Sequence, residues 1–408
     1  MKITGIIAEY NPFHNGHLYQ IEQIKKNGAD YVVIVMSGDF LQRGTPAILD
    51  KWTRTHMALL NGADLVIELP CVFATASAQY FARGGVSLLD KLGAVDTISF
   101  GCESDDTNTI HTISTLLCEE PISYKEKLQV FLKEGNSFPK AREMAISSVL
   151  GKEAASFVSS PNNILALEYC ISLSERNSKM KLLPIKREGN GYHAAELEQD
   201  LLPSATAIRR VLEAASDSRN QLNSFVPESV FSILNENTSD YIWQNDFSLL
   251  LHYKLLSIRD FSINQFADVS KDLSDKIWKN LRFYQNYEQF CGLLKSRELT
   301  YSRINRALTH ILLDITQNMY EDVKANDYAS YARILGFRKD AAPLLSEIGK
   351  SSSIPLISKP ADAGSILSKR DYRYLEHDIF CSHVYDSVVA VKTERAAKNE
   401  FQRQLVIL

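Results

Sequence analysis

An α/β fold with a parallel sheet covered on both faces is what the first hundred residues predict, followed by a mostly helical second half. Two observations carry this expectation. Four short apolar runs alternate with helical stretches of about ten to fifteen residues. Beyond about residue 215 the strand pattern gives way to helical periodicity.

Lys2–Ala8 reads as a buried strand and Gly16–Lys26 as the helix after it. Tyr31–Met36 (YVVIVM) is a second strand, and Asp50–Leu60 a helix for which Asp50 is a suitable N-cap. Asp64–Leu69 (DLVIEL) is a third strand, Ala76–Leu92 a helix, and Ala94–Phe100 (AVDTISF) a fourth strand ending at Gly101. Residues 105–158 lose the strand pattern and read as a helical insertion. Ser159-Ser-Pro-Asn-Asn163 then opens a helix to about Arg176, with Pro161 well placed for a first turn. Met180–Lys186 (MKLLPIK) is a fifth strand, Arg187–His193 a loop, and Ser204–Glu213 a helix opened by hydroxyl residues. These elements make an α/β domain over 1–215. In the second domain, 216–408, helices are expected at 229–236, 247–258, 264–280, 284–296, 301–317 and 326–336, with strands at 353–358 and 384–391.

The 408 residues, 45% hydrophobic and 23% charged, have the composition of an ordinary soluble protein. No apolar run approaches the roughly 20 residues a membrane helix needs, so no membrane partner is expected. The N-terminus enters a strand directly, without the pattern of a signal peptide. Six cysteines are scattered with no Cys-x-x-Cys pair, which argues against a zinc ribbon or a disulfide framework and points to a reducing cytoplasm. Net charge is −4, carried by 1–215 with 21 basic and 25 acidic residues, whereas 216–408 has 24 of each. A neutral second half remains compatible with a local basic face for RNA.

His14-Asn-Gly-His17 follows the first strand and an Asn-Pro turn. Histidines at i and i+3 of a helix start share one face. The helix end adds backbone N–H groups and the positive end of the macrodipole. Together these suit a polyphosphate, and they point to ATP and chemistry at its α-phosphate. Gly16 lets backbone approach closely.

Other strand-end segments allow two readings each. Ser37-Gly-Asp-Phe-Leu-Gln-Arg-Gly44 bears Asp39, Gln42 and Arg43, and is either a substrate-holding loop or a plain polar loop. Arg54 reads as a surface charge. Gly101 either passes a flat ring close to backbone or simply ends a strand. Asn162 and Asn163, at a helix start, read as caps. Arg187 follows strand five within reach of a nucleotide, and Arg210 reads as a solvated charge. Arg303 and Arg306 share a helical face. With Tyr331, Arg333, Arg338, Lys339, Lys369, Arg370, Arg373 and Tyr374 they form either an RNA-binding mixture of cations and aromatics or a solvated face.

The histidine segment resembles the HxGH signature of the nucleotidyltransferase superfamily, relatives of class I aminoacyl-tRNA synthetases. The fuller string GIIAEYNPFHNGHLYQI resembles the bacterial tRNA(Met) cytidine acetate ligase family. So do MSGDFLQRGTPAILDKWTR, ADLVIELP, SFGCESD, SPNNILALEY, IKREGNGYH, SATAIRR and YARILGF, and the similarity runs through the whole chain. The resemblance implies a Rossmann-like, HUP-type nucleotidyltransferase domain and a helical tRNA-binding domain. It implies that ATP, with Mg²⁺, activates acetate as acetyl-adenylate. The acetyl group then passes to the wobble cytidine of elongator tRNA(Met), giving N4-acetylcytidine, AMP and pyrophosphate.

The resemblance also implies site residues. His14 and His17 are the catalytic pair. ATP contacts are Ile7, Ala8, Glu9, Tyr10, Asn11, Pro12, Phe13, Asn15, Gly16, Leu18, Tyr19, Gln20, Gly101, Asn162 and Arg187, with Ser204, Thr206 and Arg209 matching a turn that grips the β- and γ-phosphates. Asp39, Gln42, Arg43, Arg303 and Arg306 are candidates for substrate or tRNA, and no metal ligand is assigned. The residues alone stop at ATP-dependent adenylyl transfer. A small-molecule adenylyltransferase of the pantetheine-phosphate or nicotinamide mononucleotide type, or a non-catalytic RNA-binding protein on this scaffold, are the alternatives.

Overall fold

The structure, a computed structural model, describes residues 1–103, 106–158, 161–186, 204–214, 216–237, 241–259 and 262–408. Its first part follows the expected alternation: β1 (Ile3–Ala8), α1 (Asn15–Lys26), β2 (Tyr31–Ser37), α2 (Lys51–Leu60), β3 (Leu65–Leu69), α3 (Cys71–Ala74), α4 (Ala78–Lys91) and β4 (Thr97–Cys102). The helical insertion comprises α5 (Thr107–Glu119), α6 (Ile122–Lys133), α7 (Phe138–Leu150) and α8 (Lys152–Phe157). After it come α9 (Pro161–Glu175), β5 (Lys181–Lys186) and α10 (Ala205–Glu213). The second half holds α11 (Glu228–Glu236), α12 (Ser248–Ser257), α13 (Lys271–Asn280), α14 (Tyr287–Leu294), α15 (Tyr301–Leu312) and α16 (Gln317–Ala325). It ends with β6 (Ala332–Phe337), α17 (Ala342–Ser351), β7 (Leu356–Ile357), α18 (Ala363–Ile366), α19 (Lys369–Thr393) and β8 (Val406–Ile407).

The sheet runs β5-β4-β1-β2-β3-β6-β7, with β8 also paired to β6. The pairs among β1–β5 are parallel, as the alternating pattern requires. Central strands are buried on both faces. Ile3, Val33, Val35, Leu65 and Ile67 pack toward α4 and α9, and Ile6, Val32, Ile34, Met36 and Val66 toward α1 and α2. The chain winds from β1 outward to β3 and returns to lay β4 on the other side of β1. The carboxyl ends of β1 and β4 therefore flank a topological switch point, where a crevice opens.

Two expectations in the second half are corrected. Residues 326–336, expected to be helical, contain β6, which pairs antiparallel with β3 and makes the sheet mixed. The short apolar run Ala332–Phe337 is ambiguous by periodicity, and the open edge of β3 decides its state. Residues 384–391, expected as a strand, lie inside the 25-residue helix α19. Their β-branched content is overridden because Leu375, Ile379, Ser382, Tyr385 and Val388 bury one helical face. Of 353–358, only Leu356–Ile357 is strand.

A buried ionic cluster ties the tail to the sheet. Lys51 Nζ lies 2.8 Å from Glu68 Oε1, 3.0 Å from Glu400 Oε2 and 2.7 Å from Ser382 Oγ. Arg333 pairs with both Glu68 (3.0 Å) and Glu400 (2.5 Å). Arg333 is thus fully buried and is not part of any basic surface. Among the described residues no helix is long and apolar enough to cross a membrane.

Candidate active site

The start of α1 is built by its two histidines. His14 stands outside the helix as its N-cap, with extended backbone (φ −149°, ψ 172°), and its Nδ1 accepts the Gly16 N–H at 3.1 Å. His17 returns the bond: its Nδ1 accepts the His14 N–H at 3.2 Å. This is the reciprocal geometry of a capping box, with imidazoles in place of the usual hydroxyl and carboxylate. A ring nitrogen that accepts a bond carries no proton, so this network assigns the proton of each neutral ring to Nε2. The rings stack with centroids 3.7 Å apart and planes at 22°, and Tyr10 packs against His17 at 4.7 Å.

This arrangement changes the expected role of the helix end. The N–H groups of Asn15, Gly16, His17 and Leu18 are all consumed internally, by Phe225 O, His14 Nδ1 and His14 O. An anion here meets imidazole N–H groups and the macrodipole, with no acidic residue in the first turn to oppose it. Gly16 leaves room for the His14 ring: a Cβ at position 16 would lie 2.9 Å from His14 Cε1.

The facing wall is the start of α10. Ser204 caps it, its Oγ accepting the Ala207 N–H at 3.1 Å. Arg209 reaches back to β1's exit loop, donating to Asn11 O at 2.7 Å and to Thr206 Oγ1 at 3.2 Å. The Asn11–Pro12 peptide is cis and Tyr10 sits at φ +48°. Asn11 Oδ1 also accepts the Ile48 N–H, so this turn is held from both sides.

Arg54 corrects an expectation. It is fully buried rather than exposed, because its guanidinium supplies donors to carbonyls that leave β1 and β2 unpaired: Glu9 O (2.6 Å), Ser37 O (3.1 Å) and Gly38 O, with Leu49 O at 3.0 Å from Nε. The following loop is seated on the helical half. Gly44 is at φ +69° against the backbone of Asn305 and Arg306, and its carbonyl accepts Thr309 Oγ1–H at 2.8 Å. Gln42 N–H donates to Glu9 Oε1 at 2.8 Å.

These pieces enclose one cleft. Of the residues singled out in the sequence, Ile7, Ala8, Glu9, Tyr10, Asn11, His14, Gly16, His17, Tyr19, Gln20, Gln42, Arg43, Gly101, Ser204, Thr206 and Arg209 line it. Pro12, Phe13, Asn15 and Leu18 support it from behind; Phe13 is buried, and Asn15 Nδ2 anchors the helix start to Ser224 O at 3.0 Å. Asp39 does not reach the cleft. Its buried carboxylate accepts the Lys51 N–H at 2.8 Å, and burial pushes it up to about 6, against the pull of Lys51. Arg303 and Arg306 also lie outside the cleft, and Arg306 is engaged by Asp268 at 2.8 Å. Arg187 and the loop around it lie outside the described residues, as does the side chain of Asn162.

Further lining residues were not singled out individually in the sequence: Leu41, Thr45, Phe100, Tyr169 and Lys186, each within a segment quoted above, and Phe81, outside them. Lys186 ends β5, and its position at a strand's carboxyl end was a usable signal. The others are ordinary core residues by sequence. Beside them Asn163 Oδ1 accepts the Glu103 N–H at 3.1 Å and ties α9 to the end of β4.

Comparison with known proteins agrees with this geometry. A model of the HIGH nucleotidyl transferase family matches residues 1–400. The chain is 43% identical over 368 residues to a tRNA(Met) cytidine acetate ligase of Clostridium acetobutylicum, covering 88% of this chain and 90% of that one. It is 39% identical over 413 residues to the Thermoanaerobacter sp. protein of the same name, covering 100% of both. The crystal structure of apo Thermotoga maritima TmcAL matches with a TM-score of 0.93 at 30% identity, and its form bound with alpha-thio ATP with 0.91 at 30%, each covering 100% of both chains.

Proposed function

The chain belongs to the tRNA(Met) cytidine acetate ligase family of HIGH nucleotidyl transferases, and on that premise we propose that it joins acetate to the wobble cytidine of elongator tRNA(Met) at the expense of ATP. One observation supports the reading most directly. The stacked His14–His17 pair and the Ser204–Arg209 turn face a single cleft at the switch point of the sheet.

In the first step an acetate oxygen attacks the α-phosphorus and pyrophosphate leaves. Negative charge then grows on the non-bridging oxygens. His14 and His17 offer Nε2–H donors already oriented by their reciprocal cap, so little reorganisation is needed as the charge develops. A preorganised donor of this kind contributes roughly 3 kcal/mol. Ser204, Thr206 and Arg209 hold the departing pyrophosphate at the α10 N-terminus, which has no acidic residue in its first turn. Arg43 and Lys186 add positive potential. Mg²⁺, in this reading, would accompany the triphosphate and neutralise its charge, and no protein ligand is assigned to it.

In the second step the cytidine amine attacks the acetyl carbonyl and AMP leaves. The helical segment, 216–408, receives the RNA in this reading. Cation–aromatic pairs such as Arg282 over Phe283 (4.6 Å) and Lys295 over Tyr301 (4.5 Å) suit phosphate and unstacked bases. The six free cysteines fit the reducing cytoplasm, where this substrate is found.

The test is mass spectrometry of tRNA nucleosides after incubation with ATP and acetate, together with acetate-dependent ATP–pyrophosphate exchange. His14→Asn keeps a capping oxygen but removes the ring, and lowers exchange by about 10²–10³-fold without unfolding the protein. Exchange that survives in a His14→Asn/His17→Ala double variant refutes the histidine assignment. Absence of acetylcytidine with the wild-type protein refutes the function.

A further inference from the structure

Glu9 is an acid in a cleft otherwise built for anions. Among the described residues that line it, Glu9 is the only carboxylate, set among His14, His17, Arg43, Lys186 and Arg209. The resemblance counts it as an ATP contact, yet a carboxylate beside a triphosphate is repelled by it. Its charge calls for a hydrogen-bond donor on the ligand.

The side chain is held in place. Arg54 fixes the Glu9 carbonyl at 2.6 Å, and Tyr10 at φ +48° turns the chain directly afterwards. Oε1 accepts the Gln42 N–H at 2.8 Å, and Gln42 is itself tied by Nε2 to Ala76 O at 3.1 Å. No described group donates to Oε2. On the α4/α9 side of the cleft stand Phe81, Phe100 and Tyr169, the last two with ring centroids 5.7 Å apart. Burial, and then the Glu9 charge, push the Tyr169 phenol upward, as expected for a phenol kept neutral near this carboxylate. A fixed acceptor beside apolar and aromatic walls is the environment that receives a base taken out of its stack.

We propose that Glu9 binds the exocyclic amine of the acceptor base through Oε2 and takes its proton during acetyl transfer. The inference rests on the ligase reading above. A carboxylate is the side chain that pairs with the N4–H of cytosine. The N4 lone pair is delocalised into the ring, so N4 is a weak nucleophile until a proton leaves. As N4 forms its bond to the acetyl carbonyl carbon, the bond from that carbon to the AMP phosphate oxygen breaks. AMP leaves with the electron pair, one N4 proton moves to Glu9 and then to solvent, and the amide keeps the other.

Glu9→Gln tests this, because its amide oxygen still accepts the Gln42 N–H while it takes up no proton. Two rates are compared with wild type: acetate-dependent ATP–pyrophosphate exchange across a Mg²⁺ series, and single-turnover transfer from synthetic acetyl-adenylate to a tRNA(Met) transcript. Transfer is expected to fall at least about 100-fold, the range of general-base catalysis, while exchange falls less than about tenfold at an unchanged Mg²⁺ requirement. Equal losses in both rates, a raised Mg²⁺ requirement, or transfer within about threefold of wild type would each overturn the role of Glu9. Wild-type enzyme that exchanges pyrophosphate but yields no acetylcytidine overturns instead the ligase reading on which it rests.

Discussion

Gly16→Ala separates the geometry of the histidine pair from the stability of the helix. The added methyl would stand 2.9 Å from His14 Cε1 and 3.1 Å from Nδ1. Comfortable contact needs about 3.5 Å or more, so the His14 ring must withdraw by roughly 0.5 Å. That movement strains both halves of the reciprocal cap and unstacks rings whose centroids are 3.7 Å apart. A displacement of about 1 Å at a reacting centre costs on the order of 100-fold, so a loss of about 10–100-fold in pyrophosphate exchange is expected, equivalent to about 1.4–2.7 kcal/mol. Stability follows a different sum. Alanine in a helix gains about 0.5–1 kcal/mol over glycine, and a weakened N-cap loses about 1 kcal/mol. Urea denaturation should therefore place the variant within about 1 kcal/mol of wild type. Exchange within twofold of wild type in a folded Gly16→Ala protein would show that the His14 position is not what the α-phosphate chemistry uses.

Three further outcomes follow from the buried charges and the loop seat. Lys51→Met leaves buried Glu68 and Glu400 with Arg333 as their shared cation but without the second one, and should destabilise by about 3–5 kcal/mol in urea denaturation; a change below about 1 kcal/mol contradicts the network. Asp378, bonded to Cys71 N–H and Tyr331 O–H, is pushed from 3.8 up to about 7 by burial and by the Glu68 charge. A carboxyl raised in this way favours the fold most below its unfolded value, and that contribution is lost as pH rises through about 7. Wild-type stability should fall between pH 4 and 7, by at most about 1.4 kcal/mol per pH unit from this group, and Asp378→Asn should flatten the slope. Equal slopes would refute it. Gly44→Ala adds a Cβ 2.3 Å from Arg306 N at a positive φ, which should cost about 3 kcal/mol and shift Gln42 and Arg43. Limited proteolysis of the 38–46 loop reads that shift, and a wild-type pattern refutes it.

The five parallel strands could be read from the chain because each is a short apolar run closed by local signals, and burial on both faces removes any need to know partners. The same reasoning failed for Ala332–Phe337 and for 384–391, where short β-branched or apolar runs fit either state until a sheet edge or a helix face claims them. At the site, the HxGH spacing announced two imidazoles near a phosphate. It did not disclose that they cap the helix reciprocally and consume its N–H groups.

What the sequence determined by itself is thus the local grammar: strand, turn, histidine pair and hydroxyl-rich helix start, each encoded within a few residues. Only the tertiary structure decided which charges are interior. Arg54 and Arg333 look like surface cations in one dimension, and Lys51 meets Ser382 across 331 positions. A buried ion is tolerated where partners converge from distant segments, and no short window of sequence contains that convergence. The same holds for Glu9. Its identity is plain in the sequence, but its isolation among cations, beside Gln42 and Tyr169, exists only after strands, loop and helix have packed together.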